Sequence, residues 1–324
     1  MTELPDYDSL PAAEGRGRSA WGLFGEQDNV GLFNLQTPDR VADACRLVRT
    51  GQVFPLDIPL DFFPPGEQPG ERGAPRHVLR NFGQTAFDDS LDGFFLQGTT
   101  QWDALGHVGF RRGAFYNGAS PEDIEAGRRN TIDHWARRGI AGRAVLLDVV
   151  RTLAERGEEL DPFGGYAITV DDLEAARELA GVRFEPGDVM LVRTGHLEAL
   201  ARLPVEQRRI RLDTMTTPGL AHTEEMARYV WNTHAAAVAA DNMAVEVWPA
   251  LMDAPSGDLT GPQWPFGYLH NAFLGLFGLA IGEYFWLAGL AGQCARDGRY
   301  EMLFTSAPLN VRGVGSPANA LVIK

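Results

Sequence analysis

The eleven residues from Gln97 to His107, Gln-Gly-Thr-Thr-Gln-Trp-Asp-Ala-Leu-Gly-His, crowd amides, hydroxyls, a carboxylate and an imidazole into one short stretch behind the apolar pair Phe94-Phe95. Each polar group that such a segment buries costs about 1–3 kcal/mol unless it is paired. Gln97, Thr99 and Gln101 alternate, so on a strand they point the same way, and Asp103 extends the row. His107 follows Asp103 by four residues, one turn if the chain coils there. A strand end whose polar groups are satisfied locally would have the same composition. A second cluster tips the balance toward chemistry.

That cluster is the stretch from Leu269 to Glu283, where His270 and Glu283 stand at the two ends of an apolar run. A carboxylate inside apolar sequence is expensive to bury unless a cation, a metal or a donor meets it. Asp103, His107, His270 and Glu283 are the residue types of a metal site or an acid–base pair.

Together these residues resemble the cyclase family of metal-dependent hydrolases, to which bacterial kynurenine formamidases and isatin hydrolases belong. Its signature, His-x-Gly-Thr-His-x-Asp-x-x-x-His, falls on Gln97 through His107. Thr100, Asp103 and His107 match it. Gln97 and Gln101 stand where the family has histidine ligands, and Thr99 replaces a glycine. His270 and Glu283 resemble the family's downstream pair. Pro186 to Gly195, Thr217 to Leu220 and Pro308 to Pro317 are similar to further landmarks. The resemblance implies a swivelling β/β/α fold, with a barrel-like mixed sheet and flanking helices. It also implies a divalent metal that polarises a carbonyl and acidifies a water, with the last signature histidine as general base.

Carried over by position, Asp103 is a metal ligand, His107 the acid–base group, and His270 and Glu283 complete the catalytic site. Gln101 can offer only an amide oxygen. Exchanging imidazoles for amides therefore favours manganese over zinc, or no metal at all. Gln97, Thr99, Trp102 and Phe95 are expected to line the substrate pocket, with Phe94 and Trp21 as further aromatic candidates. Three functions stay open. One is a metal-dependent hydrolase that opens a cyclic amide, a lactone or an aryl formamide. The second is a metal-free or metal-poor cyclase, lyase or isomerase on a small ring-forming metabolite, with the glutamines as oxyanion donors. The third is a non-catalytic binder of small molecules.

Composition narrows the setting. The chain has 324 residues, 44% of them hydrophobic and 22% charged, as in soluble globular proteins. A net charge of −14 argues against nucleic acid and anionic membranes as partners. A small-molecule substrate and a homodimer or larger homo-oligomer are expected instead. Cys45 and Cys294 provide no Cys-x-x-Cys pair, and Cys45 shares an apolar stripe with Val41, Ala44 and Val48 that suits core packing. The acidic start, Met1-Thr2-Glu3-Leu4-Pro5-Asp6, is no secretory signal, so a cytoplasmic protein is expected. Between Ala272 and Gly292 only Glu283 and Tyr284 can ionise, but five glycines interrupt the run. A buried helix leading into a buried strand fits it better than a membrane span.

The positioning elements follow from pattern. Residues 1–20 read as a polar arm that wraps the surface or a partner, and 21–324 as one cyclase-like domain. A helix capped by Thr37-Pro38 is expected to run to Thr50 and stop at Gly51. Leu56, Ile58 and Leu60 alternate as a strand. Phe62 to Arg76, with four prolines and three glycines, reads as a loop bordering the pocket. Ser120-Pro121 starts a second helix with Asp123 as reciprocal cap, and Thr169 to Ala180 is another, closed by Gly181. Continuous apolar strands are expected over Ala144–Val150, Asp188–Arg193 and Ala236–Ala240, the mark of a sheet covered on both faces. His196 follows a strand end near the pocket, and Asp241 and Glu246 flank another. His77, His134, His222 and His234 read as ordinary histidines. Gly313-Val314-Gly315-Ser316-Pro317-Ala318 mimics a dinucleotide fingerprint but leaves no room for the helix that would hold a pyrophosphate.

Overall fold

The uninterrupted apolar runs make the centre of a sheet, because only a strand covered on both faces can bury them all. The computed structural model describes residues 4–63, 72, 74–204, 207–208, 216–251, 261 and 263–324. Its strands are β1 (Val53–Pro55), β2 (Arg76–Phe82), β3 (Ala86–Asp92), β4 (Gln101–Asp103), β5 (Ile140–Asp148), β6 (Ala167–Ile168), β7 (Val189–Arg193), β8 (Gly219–Leu220), β9 (Ala237–Ala240), β10 (Ala280–Glu283), β11 (Glu301–Ser306), β12 (Gly315–Pro317) and β13 (Ala320–Ile323). Nine of them form one mixed half-barrel sheet in the order β1-β13-β11-β5-β7-β9-β10-β4-β12. The four central strands, β5, β7, β9 and β10, are parallel, and antiparallel strands extend the sheet on either side. This is the mixed α/β sheet with flanking helices that the sequence led us to expect.

Helices flank the sheet, among them α1 (Pro38–Cys45), α2 (Pro121–Glu125), α3 (Asp133–Arg138), α4 (Val149–Glu155), α5 (Val170–Ala180), α6 (His196–Arg202), α7 (Glu224–Asn232), α8 (Leu269–Ala272) and α9 (Ala288–Asp297). The expected caps are present: Thr37 on α1, and Ser120 with Asp123 and Thr169 with Asp172 as reciprocal boxes on α2 and α5. Several boundaries differ from expectation. Helix α1 ends at Cys45 rather than Thr50, so the apolar stripe is cut short and Cys45 is exposed instead of packed in the core. The alternating stretch from Leu56 to Leu60 forms no strand: Leu56 bonds to Ala320 and Trp286, and Ile58 N–H donates to Thr100 Oγ1. Strand β5 stops at Asp148, whose side chain caps α4, so Val149 and Val150 are helical.

The N-terminal arm does not lie loosely. Tyr7 is buried edge-on against Phe277, its hydroxyl donates to Glu224 on α7, and Trp231 donates to the Pro5 carbonyl. Most of the loop expected between Phe62 and Arg76 lies outside the described residues; Arg72 is among those described. The hairpin β2–β3 follows it and exposes Leu79, Phe82, Phe87 and Leu91. The apolar run after Ala272 is a π-helical turn, Phe273–Phe277, leading into buried β10. Among the described residues, no helix is long and apolar enough to cross a membrane.

Candidate active site

Strand alternation sets the first half of the site. Gln101 and Asp103 share one face of β4, and Trp102 turns to the other. There Trp102 is fully buried among Phe33, Phe285 and Phe304, with its Nε1 donating to Ser306. Trp102 is therefore core and not pocket lining, a correction that the alternation itself requires. Its indole sits over Gly282 of β10, where a Cβ would lie 2.9 Å from the ring. The register β4–β10 places Gln101 directly opposite Glu283, and Gln101 Nε2 donates to Glu283 Oε2 at 2.6 Å.

The second half comes from α8. Its His270 is fully buried and points Nε2 between the two carboxylates, 3.4 Å from Glu283 Oε1 and 3.6 Å from Asp103 Oδ2. The π-helical turn Phe273–Phe277 and the left-handed Gly278 then reverse the chain so that β10 returns Glu283 to the same point. Such turns often mark functional positions. One ligand atom each from Asp103, His270 and Glu283 lies within 4.8 Å of the others. The structure thus brings together three of the residues singled out from the sequence.

His107 stands at the rim, in a turn rather than a helix, with its backbone N–H bonded to the Ala104 carbonyl. Its side chain is 21% exposed and its Nε2 lies 3.9 Å from Asp103 Oδ1. Gln97 fixes the ring: its amide nitrogen donates to Asp103 Oδ1 at 2.7 Å and meets His107 Nδ1 at 3.0 Å. Gly315 makes room for Gln97, since a Cβ there would meet Gln97 Cγ at 2.4 Å. Asn271, next to His270, ties the loop down by donating to the Gly109 carbonyl.

The remaining candidates divide. Thr99 is buried and its hydroxyl has no partner among the described residues. Thr100 is a strut between Ile58 N–H and the Tyr284 carbonyl. Phe95 is 47% exposed, and Trp21 packs edge-on against Phe110. His196 is buried on α6, bonded to the Pro162 carbonyl and not to the site. Asp241 accepts three bonds from Thr194 and Gly195 and is an anchor.

Glu246 is tied to His270 itself. Its Oε1 lies 2.6 Å from His270 Nδ1, and its Oε2 accepts the Leu269 N–H at 2.6 Å and lies 3.0 Å from His222 Nε2. Tyr268 stacks on His270 with centroids 4.4 Å apart. Arg72 donates to the Gln97 carbonyl. Val245 and Tyr284, which flank Glu246 and Glu283, have φ of +62° and +56°, and Val245 is the one β-branched residue in that region among the described residues. Left-handed backbone at such residues is strained, and strain of this kind clusters at functional sites.

Burial shapes the charges. It works against ionised Asp103, yet His107, His270 and the Gln97 amide hold that carboxyl below its usual range. Burial and the Asp103 charge push Glu283 up to about 7. Burial also lowers the pKa of His107, which is neutral at pH 7. For His270 burial is outweighed by Tyr268, Asp103, Glu246 and Glu283, and its pKa lies well above the ordinary value.

A mixed half-barrel sheet with a buried Asp–His–Glu cluster at the junction of β4 and β10 defines a cyclase-like protein. The chain belongs to the cyclase family: residues 63–247 match the family model described as "Putative cyclase". A crystal structure described as a novel cyclase is 33% identical, covers 94% of this chain and 99% of its own, and superposes with a TM-score of 0.80. Isatin hydrolase A from Ralstonia solanacearum shares the fold at 18% identity, over 84% of this chain and 92% of its own, with a TM-score of 0.56. An isatin hydrolase bound to the product analogue thioisatinate does so at 16% identity, over 84% and 91%, with a TM-score of 0.57. No curated protein matches the chain in sequence.

Proposed function

We propose that this protein is a metal-dependent hydrolase that opens a cyclic amide, a lactone or an aryl formamide. The observation that carries the reading is a pair of buried, unsatisfied acceptors, Asp103 Oδ2 and Gln101 Oε1, which have no hydrogen-bond partner among the described residues. Both belong to residues that bracket the cluster with His270 and Glu283. Gaps of 3.4 and 3.6 Å from His270 Nε2 are longer than good hydrogen bonds and close to the spacing of neighbouring ligands around a small divalent cation. The donor set therefore fits a cation held by Asp103, His270 and Glu283, with Gln101 as an amide-oxygen ligand. An oxygen-rich set of this kind suits manganese better than zinc.

A bound cation supplies Lewis acidity and an acidified water. The chain's own contribution is placement and proton delivery. Only the amide nitrogen of Gln97 can face ionised Asp103, so His107 Nδ1 accepts from the same nitrogen and the neutral ring carries its proton on Nε2. His107 is the acid–base group: its Nε2–H is placed to hydrogen-bond the charge that develops at the leaving nitrogen or oxygen, and its exposed edge allows proton exchange with solvent. The hydrolase names of two structural relatives agree with this chemistry.

One observation favours a second reading, a metal-poor acid–base enzyme. Gln97 and Gln101 each turn an amide N–H toward a site carboxylate, which partly neutralises the cluster without a cation. Gln101→His separates the two. If the variant gains zinc affinity and hydrolyses aryl formamides or lactones faster, the hydrolase reading stands. If it binds zinc and loses the native reaction, the metal-poor reading wins.

A further inference from the structure

Glu246 lies outside the candidate ligand set and 24 residues before His270, yet it is the most heavily anchored carboxylate near the site. Its side chain is fully buried. Its Oε1 lies 2.6 Å from His270 Nδ1 and 3.3 Å from the His270 backbone nitrogen. Its Oε2 takes the Leu269 N–H and faces His222. The backbone is fixed as tightly: Val245 before it is left-handed, and a Cβ on Gly219 would lie 2.2 Å from the Glu246 carbonyl carbon. Nothing in this arrangement lets the carboxylate swing toward Asp103 or Glu283, so it is no ligand itself.

An anionic acceptor at Nδ1 demands a proton there. We propose that Glu246 is the positioning residue that fixes the orientation of His270 and keeps a proton on Nδ1, leaving Nε2 as the nitrogen presented to Asp103 and Glu283. It acts from both ends of the residue, clamping the ring through Nδ1 and the start of α8 through the Leu269 and His270 amides. His222 Nε2 lies 3.0 Å from the opposite oxygen. The consequence for cation binding rests on the metal reading above, whereas the ring geometry does not.

The experiment compares wild type, Glu246→Gln and His222→Gln, each stripped of metal, by calorimetric titration with Mn²⁺ and by the ring-nitrogen NMR signals of His270. Glu246→Gln keeps the size and loses the charge. It should bind Mn²⁺ about 10–100-fold more weakly, with a displaced Nδ1–H signal at a melting temperature close to wild type. His222→Gln leaves the carboxylate in place and should lose less than about tenfold, which keeps the test open if Glu246→Gln does not fold. Equal Mn²⁺ affinity and an unchanged ring signal in the variants overturn the positioning role and leave the metal reading intact. If wild type binds no Mn²⁺, the metal reading fails. The ring signal then decides alone: displaced in Glu246→Gln it supports the role, and unchanged it overturns it.

Discussion

Two clusters of buried carboxylates sit at the same edge of the sheet, where the parallel strands β5, β7, β9 and β10 end, and they are built on opposite terms. In the first, no buried side-chain nitrogen or oxygen is left without a partner among the described residues. Asp148 accepts from Arg151 N–H and from Arg193, Arg193 also grips Glu198, and Asp241 takes the Thr194 N–H and hydroxyl and the Gly195 N–H at 2.6–2.8 Å. In the second, Asp103 and Gln101 keep buried oxygens without a partner among the described residues, and His270 stands 3.4–3.6 Å from two carboxylates. The fold can satisfy buried charge completely a few strands away. An incomplete cluster beside a complete one supports the proposal that a cation binds there.

Changes at the second cluster should cost function, and changes at the first should cost stability. The largest effect is expected at the rim: His107→Ala should lower turnover of the true substrate about 10²–10⁴-fold with no change in melting temperature. Steady-state kinetics beside a thermal melt checks both halves, and unaltered turnover would show that the acid–base group lies elsewhere. Next comes Asp241→Ala. It strands three donors in the core and should destabilise by about 3–5 kcal/mol in a urea titration.

His196 sharpens the contrast, because its role is packing. Burial lowers its pKa to about 4, so the folded ring stays neutral while the unfolded ring protonates near 6.5. The unfolded state binds more protons between those values, so this stability is present above about pH 6.5 and is lost as pH falls toward 4. His196→Asn keeps the donor to Pro162 without the titration. It should flatten that acid limb by about 2–3 kcal/mol, measured by urea unfolding from pH 7 to 4. The smallest effect runs the other way. Glu283→Gln removes a charge from the incomplete cluster while its amide oxygen can still accept from Gln101, so it should leave stability unchanged or raise it by about 1 kcal/mol. A loss comparable to that of Asp241→Ala would erase the distinction between the clusters.

Much of this was legible in the sequence, for identifiable reasons. The apolar runs that became β5, β7 and β9 could only be buried strands, and Asp103, His270 and Glu283 stood out because polar groups in apolar company need partners. Glu246 was singled out only as a residue beside a strand end; its meeting with His270 and His222 depends on long-range packing that no local pattern encodes. Trp102 was misread because its chemistry suggested a ring-binding surface, although the alternation that put Gln101 and Asp103 on one face sends it to the core. Cys45 was misread because its stripe presumed a longer helix than the chain forms. Gln97 was taken for a substrate contact, and only the assembled site shows it bridging Asp103 and His107.

The central claim is that the incomplete cluster completes itself with a divalent cation. Titration of metal-stripped wild type and Asp103→Asn with Mn²⁺, followed by the loss of the free-ion electron paramagnetic resonance signal, tests it most directly. The account predicts one ion per chain in wild type, weaker binding of Zn²⁺ than histidine-rich sites achieve, and no ion in Asp103→Asn. Tight stoichiometric zinc in the purified protein would contradict the preference for manganese, and a wild type that binds no divalent cation would contradict the claim itself.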